Sequence, residues 1–208
     1  KFTSLSETMT PEQNFRFLNS YLSRMGPIIR EHGGFIDKFI GDAIMALFPN
    51  EGHGGPGAAA ARDGVFAATE GHGGSRAAAA RDGVFAAARP AGAAQAALAM
   101  RHELKAYNAH RANQGYKPID IGIGIHTGMV RLGTIGENER WEGTVIGDTV
   151  NLASRIENLS STFNAPIVVS EAVLETLPAG QACRELDTIR VKGKQKAVKV
   201  FELLSDED

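Results

Sequence analysis

Apolar residues recur along this chain with two periods, one typical of helices and one typical of strands. The first clear helical series is Phe15, Leu18, Leu22, Met25 and Ile29. Just before it, Thr10-Pro11-Glu12-Gln13 supplies a capping residue, a proline suited to the first helical turn and a glutamine three residues after the cap. The pattern predicts an amphipathic helix over residues 11–31, which ends before Gly33-Gly34.

The next stretch, G-G-F-I-D-K-F-I-G-D-A-I-M-A-L-F, contains two short runs of apolar and β-favouring residues. The runs cover 35–40 and 43–48, and Gly41-Asp42 alone separates them, which is the spacing of a tight hairpin. Asp42 is therefore expected at a strand tip. Lys38 lies four positions earlier, in a segment otherwise suited to burial, where a charged side chain costs free energy unless something pairs with it.

Further elements follow the same two periods. Helices are predicted over 91–113 and from Gly147-Asp148 onwards. Isoleucines at every second position over 119–125 predict a strand whose glycine face leaves room for a close neighbour. His126-Thr127-Gly128 is expected to end that strand, and residues 129–135 are expected to form a strand that returns beside it. His126 is expected to have a structural role rather than to act as a catalytic base. Shorter elements are expected later, namely strands over 166–170, 186–191 and 198–204 and a helix over 171–176.

This order of elements predicts an α/β (α+β) sandwich with helices on one side of a largely antiparallel sheet. A tandem duplication interrupts it. Residues 51–69 are repeated as 70–88 at an offset of 19, and three positions differ between the copies. Both copies are rich in Gly and Ala, and two copies are too few for a solenoid. Residues 51–90 are therefore interpreted as an insertion in a surface connection, with short helical turns over the Ala runs.

Composition narrows the function classes. The 208 residues are 43% hydrophobic and 22% charged, which is typical of a globular protein. The formal net charge of -2 gives no electrostatic reason to expect nucleic acid or an anionic membrane surface as a partner. No apolar run approaches the roughly 18 residues of a membrane span. The single cysteine, Cys183, favours a reducing compartment. A cytoplasmic location is expected, either free or as the cytoplasmic part of a membrane-anchored parent protein.

Four blocks together resemble the class III nucleotidyl cyclase catalytic domain. They are, in order, F-T-S-L-S-E, the hairpin, G-I-G-I-H-T-G-M-V-R-L-G-T-I-G and T-V-I-G-D-T-V-N-L-A-S-R-I-E. The resemblance covers nearly everything outside 51–90, and the joint presence and order of the blocks are highly specific. It implies one catalytic domain over 1–208 with a ferredoxin-like sandwich fold. It also implies ATP as substrate and a homodimer whose sites are shared between subunits.

The resemblance implies roles for individual residues in the reaction. Asp42 would be one of two carboxylates that hold two Mg²⁺ or Mn²⁺ ions. The opposite subunit would supply Asn151 to orient the ribose and Arg155 to stabilise charge on the α-phosphate. Lys192 would meet the terminal phosphates. From spacing alone, Asn151 and Arg155 could equally belong to a solvated helix face, and Lys192 could be a solvated hairpin lysine.

Other residues would bind the substrate. Lys38 and Thr144 match the family's purine-selecting pair and resemble a bacterial variant of the more familiar Lys and Asp. A lysine can donate to the unprotonated ring nitrogen of adenine but cannot accept the ring N–H of guanine, so ATP is favoured over GTP. Phe2 and Thr3, in the first block, are also implied to line the substrate site.

The chain departs from the family pattern in three places. The family's first metal aspartate lies on a strand just before the residues aligned with Lys1-Phe2-Thr3. The domain over 1–208 is therefore expected to lack its first strand and one metal carboxylate, and to be inactive as printed even where the parent protein is active. A basic residue often found before G-I-H is Gly122 here, and the duplicated segment has no family counterpart. The sequence predicts an adenylate cyclase domain with an upstream sensor region in its parent chain. The alternatives are a catalytically silent cyclase-like module for dimerisation or nucleotide binding, and a guanylate cyclase.

Overall fold

A computed structural model describes residues 9–48, 63–68, 83–86, 90–137, 140–190 and 197–205. Within these ranges the helices are α1 (Pro11–Glu31), α2 (Pro90–Asn113), α3 (Asp148–Phe163) and α4 (Glu171–Leu174). The strands are β1 (Phe35–Phe48), β2 (Asp63–Ala68), β3 (Gly83–Ala86), β4 (Ile123–Glu137), β5 (Arg140–Ile146), β6 (Ile167–Ser170), β7 (Cys183–Ile189) and β8 (Val198–Leu203). In this described part of the chain, no helix is long and apolar enough to cross a membrane.

Helix α1 has the bounds that the sequence predicts, because its start is encoded locally. The Thr10 hydroxyl accepts a hydrogen bond from the backbone N–H of Gln13, and the Gln13 side chain accepts one from the backbone N–H of Thr10. This capping box satisfies two donors that lack helical partners at the start of a helix. At the other end, Gly33 has a φ of 81° and its N–H donates back to a carbonyl oxygen of α1, a helix stop that favours glycine.

The strands of the described residues form one mixed sheet in the order β1-β2-β3-β4-β6-β8-β7, with β5 also paired to β4. Strand β4 has the most neighbours, since it pairs antiparallel with β2, β3 and β5 and parallel with β6. The β1–β2, β6–β8 and β7–β8 pairs are antiparallel. The predicted largely antiparallel sheet is therefore confirmed.

Helices cover both faces of this sheet, so the expectation of helices on one side is wrong. One core cluster joins α1 and α2 to alternate residues of β1, among them Phe48. A second cluster joins Ala153 of α3 to the intervening residues of β1, among them Met45. Successive residues of a strand point to opposite faces, and a strand buried on both faces reads as an unbroken apolar run. The run A-I-M-A-L-F at 43–48 has this character.

Strand β1 comprises 14 residues, yet its two ends lie side by side. A Cβ placed on Gly34, just before β1, would come within 2.6 Å of the Phe48 ring at the far end. A straight strand of this length would span about 45 Å, so β1 reverses direction within itself. Gly41 has a φ of 76°, which suits glycine in a two-residue hairpin turn. The predicted hairpin, with Asp42 at its turn, is confirmed.

The duplicated segment contributes two strands to the sheet, so its interpretation as a surface connection is wrong for these stretches. Strand β2, from the first copy, pairs with β1 and β4 at once, and Val65 lies opposite Phe48 on one side and Thr127 on the other. Strand β3, from the second copy, pairs with β4, where Val84 lies opposite Arg131. Backbone pairing here outweighs the weak strand propensity of Gly and Ala. The Ala runs of both copies lie outside the described residues.

Strand β4 continues through His126-Thr127-Gly128, so the expected break there is wrong. Pairing with β2 keeps this stretch extended, with Gly128 opposite Gly64. The strand that returns beside β4 is β5, which pairs with its second half. His126 is buried, and its Nδ1 lies 2.8 Å from the hydroxyl oxygen of Ser170 on β6. A buried imidazole with such a partner has the structural role that the sequence predicts.

Candidate active site

Lys38 and Thr144, which the resemblance pairs as readers of the base, contact each other directly. The Lys38 Nζ donates a hydrogen bond of 2.6 Å to Thr144 Oγ1 across 106 positions of sequence. Lys38 lies on β1 before its turn, and Thr144 lies on β5 opposite Gly133 of β4. The folded sheet therefore places a cation beside a hydroxyl, and these groups can together hydrogen-bond the edge of a purine.

Asp37 is a third group at this position, and the sequence analysis did not single it out. Its Oδ2 lies 3.6 Å from Lys38 Nζ, and its side chain is 8% exposed against 24% for Lys38. A carboxylate buried to this degree needs positive charge or hydrogen bonds to offset its lost hydration. An acidic residue inside the apolar run 35–40 is a sequence signal that could have drawn attention to it.

Asn151 and Arg155 lie on the exposed face of α3, one helical turn apart. The opposite face of α3 is buried against β4, and the approach is close. A Cβ placed on Gly124 would lie 2.6 Å from the Cα of Glu157. The prediction that the glycine face of this strand admits a close neighbour is confirmed, and the neighbour is α3. The helix that carries both polar side chains therefore rests directly on the sheet.

Asp42 is half-buried at the β1 turn. Its carboxylate is the type of oxygen ligand that Mg²⁺ and Mn²⁺ prefer. Among the residues that the structure describes, no three His, Cys, Asp or Glu side chains come together as a metal cluster. Asp42 thus fits a hard-cation site as one ligand of several, and the further oxygens would have to come from outside this set, such as substrate phosphates and a second carboxylate.

Gly122, the position where the family often has a basic residue, faces α3 closely. A Cβ added there would overlap the Ser160 hydroxyl and lie 2.9 Å from Glu157 Oε1. A larger side chain at this position therefore requires the Ser160 and Glu157 side chains, or α3 itself, to shift. Phe2, Thr3 and Lys192 lie outside the described residues, so their roles stay predictions.

The fold and the comparison with known families define the class: this is a nucleotidyl cyclase domain. Residues 1–204 match the adenylate and guanylate cyclase catalytic domain family, and the chain belongs to that family. An adenylate cyclase of Anabaena cylindrica is 38% identical over 209 residues, which cover 97% of this chain and 34% of that protein. The chain thus spans about a third of the length of this relative.

Solved structures agree with this assignment. The adenylyl cyclase CyaB from P. aeruginosa is 30% identical with a TM-score of 0.71, over 99% of this chain and 89% of that one. The guanylyl cyclase Cya2 is 28% identical with a TM-score of 0.68, over 97% of this chain and 85% of that one. Domains of this family generally use divalent metal ions, which agrees with a carboxylate at the Asp42 turn.

Proposed function

We propose that this chain is the catalytic part of an adenylate cyclase, which converts ATP to 3′,5′-cyclic AMP and pyrophosphate at sites shared by two copies. The observation that carries the proposal is the 2.6 Å hydrogen bond between Lys38 Nζ and Thr144 Oγ1. The relatives named adenylate cyclase support it. In the parent protein, a sensor region upstream would control the activity.

The base is selected by complementary hydrogen bonding. The Lys38 ammonium donates to the unprotonated ring nitrogen of adenine, and the Thr144 hydroxyl oxygen accepts from the exocyclic amine. Guanine presents a ring N–H at the first of these positions, and an ammonium cannot accept it. ATP is therefore bound in preference to GTP.

The reaction needs positioning and fixed positive charge. The ribose 3′-hydroxyl forms a new bond to the α-phosphorus while the bond to the bridging oxygen breaks and pyrophosphate leaves. Asn151 holds the ribose, and Arg155 neutralises charge that grows on the α-phosphate in the transition state. Lys192 meets the terminal phosphates, and Phe2 and Thr3 border the substrate. Divalent ions held by Asp42 would supply charge neutralisation and lower the pKa of the attacking hydroxyl.

A second copy of the chain completes each site in this proposal. Asp42 comes from one protomer, and the α3 face with Asn151 and Arg155 comes from the other. Large apolar side chains support self-association, because four of them are at least half exposed on β1 and β5, which carry Asp42 and Thr144, and on β4, which pairs with β5. These residues are Ile40, Met129, Ile135 and Ile146. Exposed apolar surface of this kind is typical of interfaces.

Mixing two inactive variants tests the shared site. All activity assays use the chain extended upstream of Lys1 to include the family's first metal aspartate. In it, Asp42→Asn and Arg155→Ala should each abolish most cyclic AMP formation from ATP with Mg²⁺ or Mn²⁺. A mixed dimer has one site with both defects and one with neither, so an equimolar mixture should regain about a quarter of the unsubstituted activity by random pairing. A mixture as inactive as its parts would reject the shared site.

A single substitution tests the chemical role of the arginine. Arg155→Ala should lower kcat by about 10²- to 10³-fold with little change in KM, since its charge acts mainly in the transition state. Ser154→Ala, also exposed on α3, is the matched control and should retain activity. Parallel assays with GTP decide the guanylate cyclase alternative. Nucleotide binding without product by a dimer that includes the family's first aspartate would support the silent module instead.

A further inference from the structure

Asp37 extends the pair that reads the base, and this inference rests on the adenylate cyclase function proposed above. We propose that Asp37 is a positioning residue, which holds the Lys38 ammonium in place for adenine and so sets the preference for ATP over GTP. The Lys38 ammonium contacts both groups, with Thr144 Oγ1 at 2.6 Å and Asp37 Oδ2 at 3.6 Å.

The two neighbours on β1 lie at different depths, which gives the contact its strength. Successive strand residues point to opposite faces, and the Asp37 side chain is 8% exposed while that of Lys38 is 24% exposed. The flexible lysine stem bends for its Nζ to approach the buried carboxylate. Charges partly removed from water attract more strongly than charges on a surface. The carboxylate therefore restrains a side chain that would otherwise sample many rotamers.

The hydrogen-bond donors of the Lys38 ammonium and the lone pairs of Thr144 Oγ1 match the edge of adenine. An ammonium has three N–H donors. One is used by Thr144 Oγ1. Asp37 Oδ2, at 3.6 Å, is beyond hydrogen-bond distance and acts on the ammonium through its charge, so a donor stays available for a ligand. The Thr144 oxygen keeps a lone pair for a further hydrogen bond. One donor beside one acceptor is what the ring nitrogen and exocyclic amine of adenine require.

Guanine would be admitted if Lys38 were less restrained. The guanine edge carries a carbonyl oxygen next to its ring N–H, and an ammonium free to swing can donate to that oxygen. Asp37 opposes this swing. Its own carboxylate is 8% exposed, so it is poorly placed to accept the guanine N–H. The selectivity thus depends on where one ammonium is held.

The test compares ATP and GTP in Asp37→Asn, Asp37→Glu and a matched control. Asp120→Asn makes the same chemical change at another ion pair, in which Asp120 Oδ1 lies 2.6 Å from Arg101 Nη1 and the carboxylate is 75% exposed. Asp37→Asn should lower the ratio of kcat/KM for ATP to that for GTP by roughly tenfold, the size expected for the loss of one partly buried ion pair. The change should lie mainly in KM. Asp37→Glu, which keeps the charge, should lie closer to the unsubstituted ratio, and Asp120→Asn should leave it within about twofold.

Each outcome decides the question. An unchanged ratio in a folded Asp37→Asn protein, or equal losses with both nucleotides and a lower Tm, would overturn the inference, since a purely structural aspartate behaves in that way. If Asp37→Asn does not fold, the ratio in Asp37→Glu decides. If the unsubstituted protein makes no cyclic AMP even with the family's first aspartate included, the proposed function fails separately, and the same ratio is measured as competition of ATP and GTP against a fluorescent ATP analogue. The absence of any ATP preference in that assay would reject both proposals.

Discussion

Gly124→Ala tests how the close packing of α3 against β4 contributes to the site, because it changes this contact and no other part of the site. An alanine Cβ at this position would lie 2.6 Å from the Cα of Glu157 and 2.7 Å from the carbonyl oxygen of Ala153. Both atoms belong to the α3 backbone, which cannot rotate away as a side chain can. The helix must therefore shift by about 1 Å to restore ordinary contact, and overpacking of this kind costs about 1–3 kcal/mol. For a chain of this size, about 2 kcal/mol lowers Tm by roughly 4–8 °C.

The same shift should impair the reaction. Asn151 and Arg155 move with α3, and a misplacement of about 1 Å can cost on the order of 10²-fold in rate. The matched control is Gly133→Ala on the same strand, where an added Cβ meets no atom within 4 Å. Both variants lose the same unfolded-state freedom of glycine, so their difference isolates the contact with α3. Thermal unfolding followed by circular dichroism and the rate of cyclic AMP formation provide the two measurements. Equal Tm and equal rates in the two variants would refute the reasoning.

Two further predictions concern stability. Thr10→Ala removes the capping box of α1 and should lower the free energy of unfolding by about 1 kcal/mol, measured in urea. The control Thr162→Ala, at an exposed position in the last turn of α3, should lower it much less. Similar losses in the two variants would argue against the cap. Val65→Pro should cost at least about 2 kcal/mol, because proline removes one backbone N–H and Val65 has a paired strand on whichever side that N–H points. Val84→Pro tests the pairing of β3 with β4 in the same way. If both prolines proved neutral, the duplicated segment would be a surface connection after all.

The sequence predicted elements best where their ends are encoded locally. The capping box and the two glycines fix α1, and the alternation of apolar residues locates β8 to within one residue of its observed end at Leu203. Prediction failed where distant partners decide the outcome. The Gly- and Ala-rich β2 has little strand propensity of its own, and its pairing with β1 and β4 comes from the folded sheet. His126-Thr127-Gly128 resembles a turn, but the same pairing keeps it extended.

The site divides in a similar way. Helical periodicity is enough to place Asn151 and Arg155 on one helix face. The contact between Lys38 and Thr144 joins residues 106 positions apart, so only the resemblance to a family could predict this pairing. The sequence does not predict a role for Asp37, because the family motif assigns no residue type to this position beside Lys38. Its depth and its distance from the ammonium appear only in three dimensions.

In the proposed mechanism, these placements make base selection and phosphate chemistry separable. Lys38 and Thr144 are fixed by β1 and β5, whereas Asn151 and Arg155 are fixed by the close contact of α3 with Gly124. Gly124→Ala should therefore lower kcat for ATP and GTP alike and leave their ratio unchanged. Asp37→Asn should do the reverse, because it acts on the ammonium and not on α3. If both variants changed the ratio and kcat together, the two parts of the site would be coupled through the sheet. The assignment of base selection to β1 and of phosphate chemistry to α3 would then be wrong.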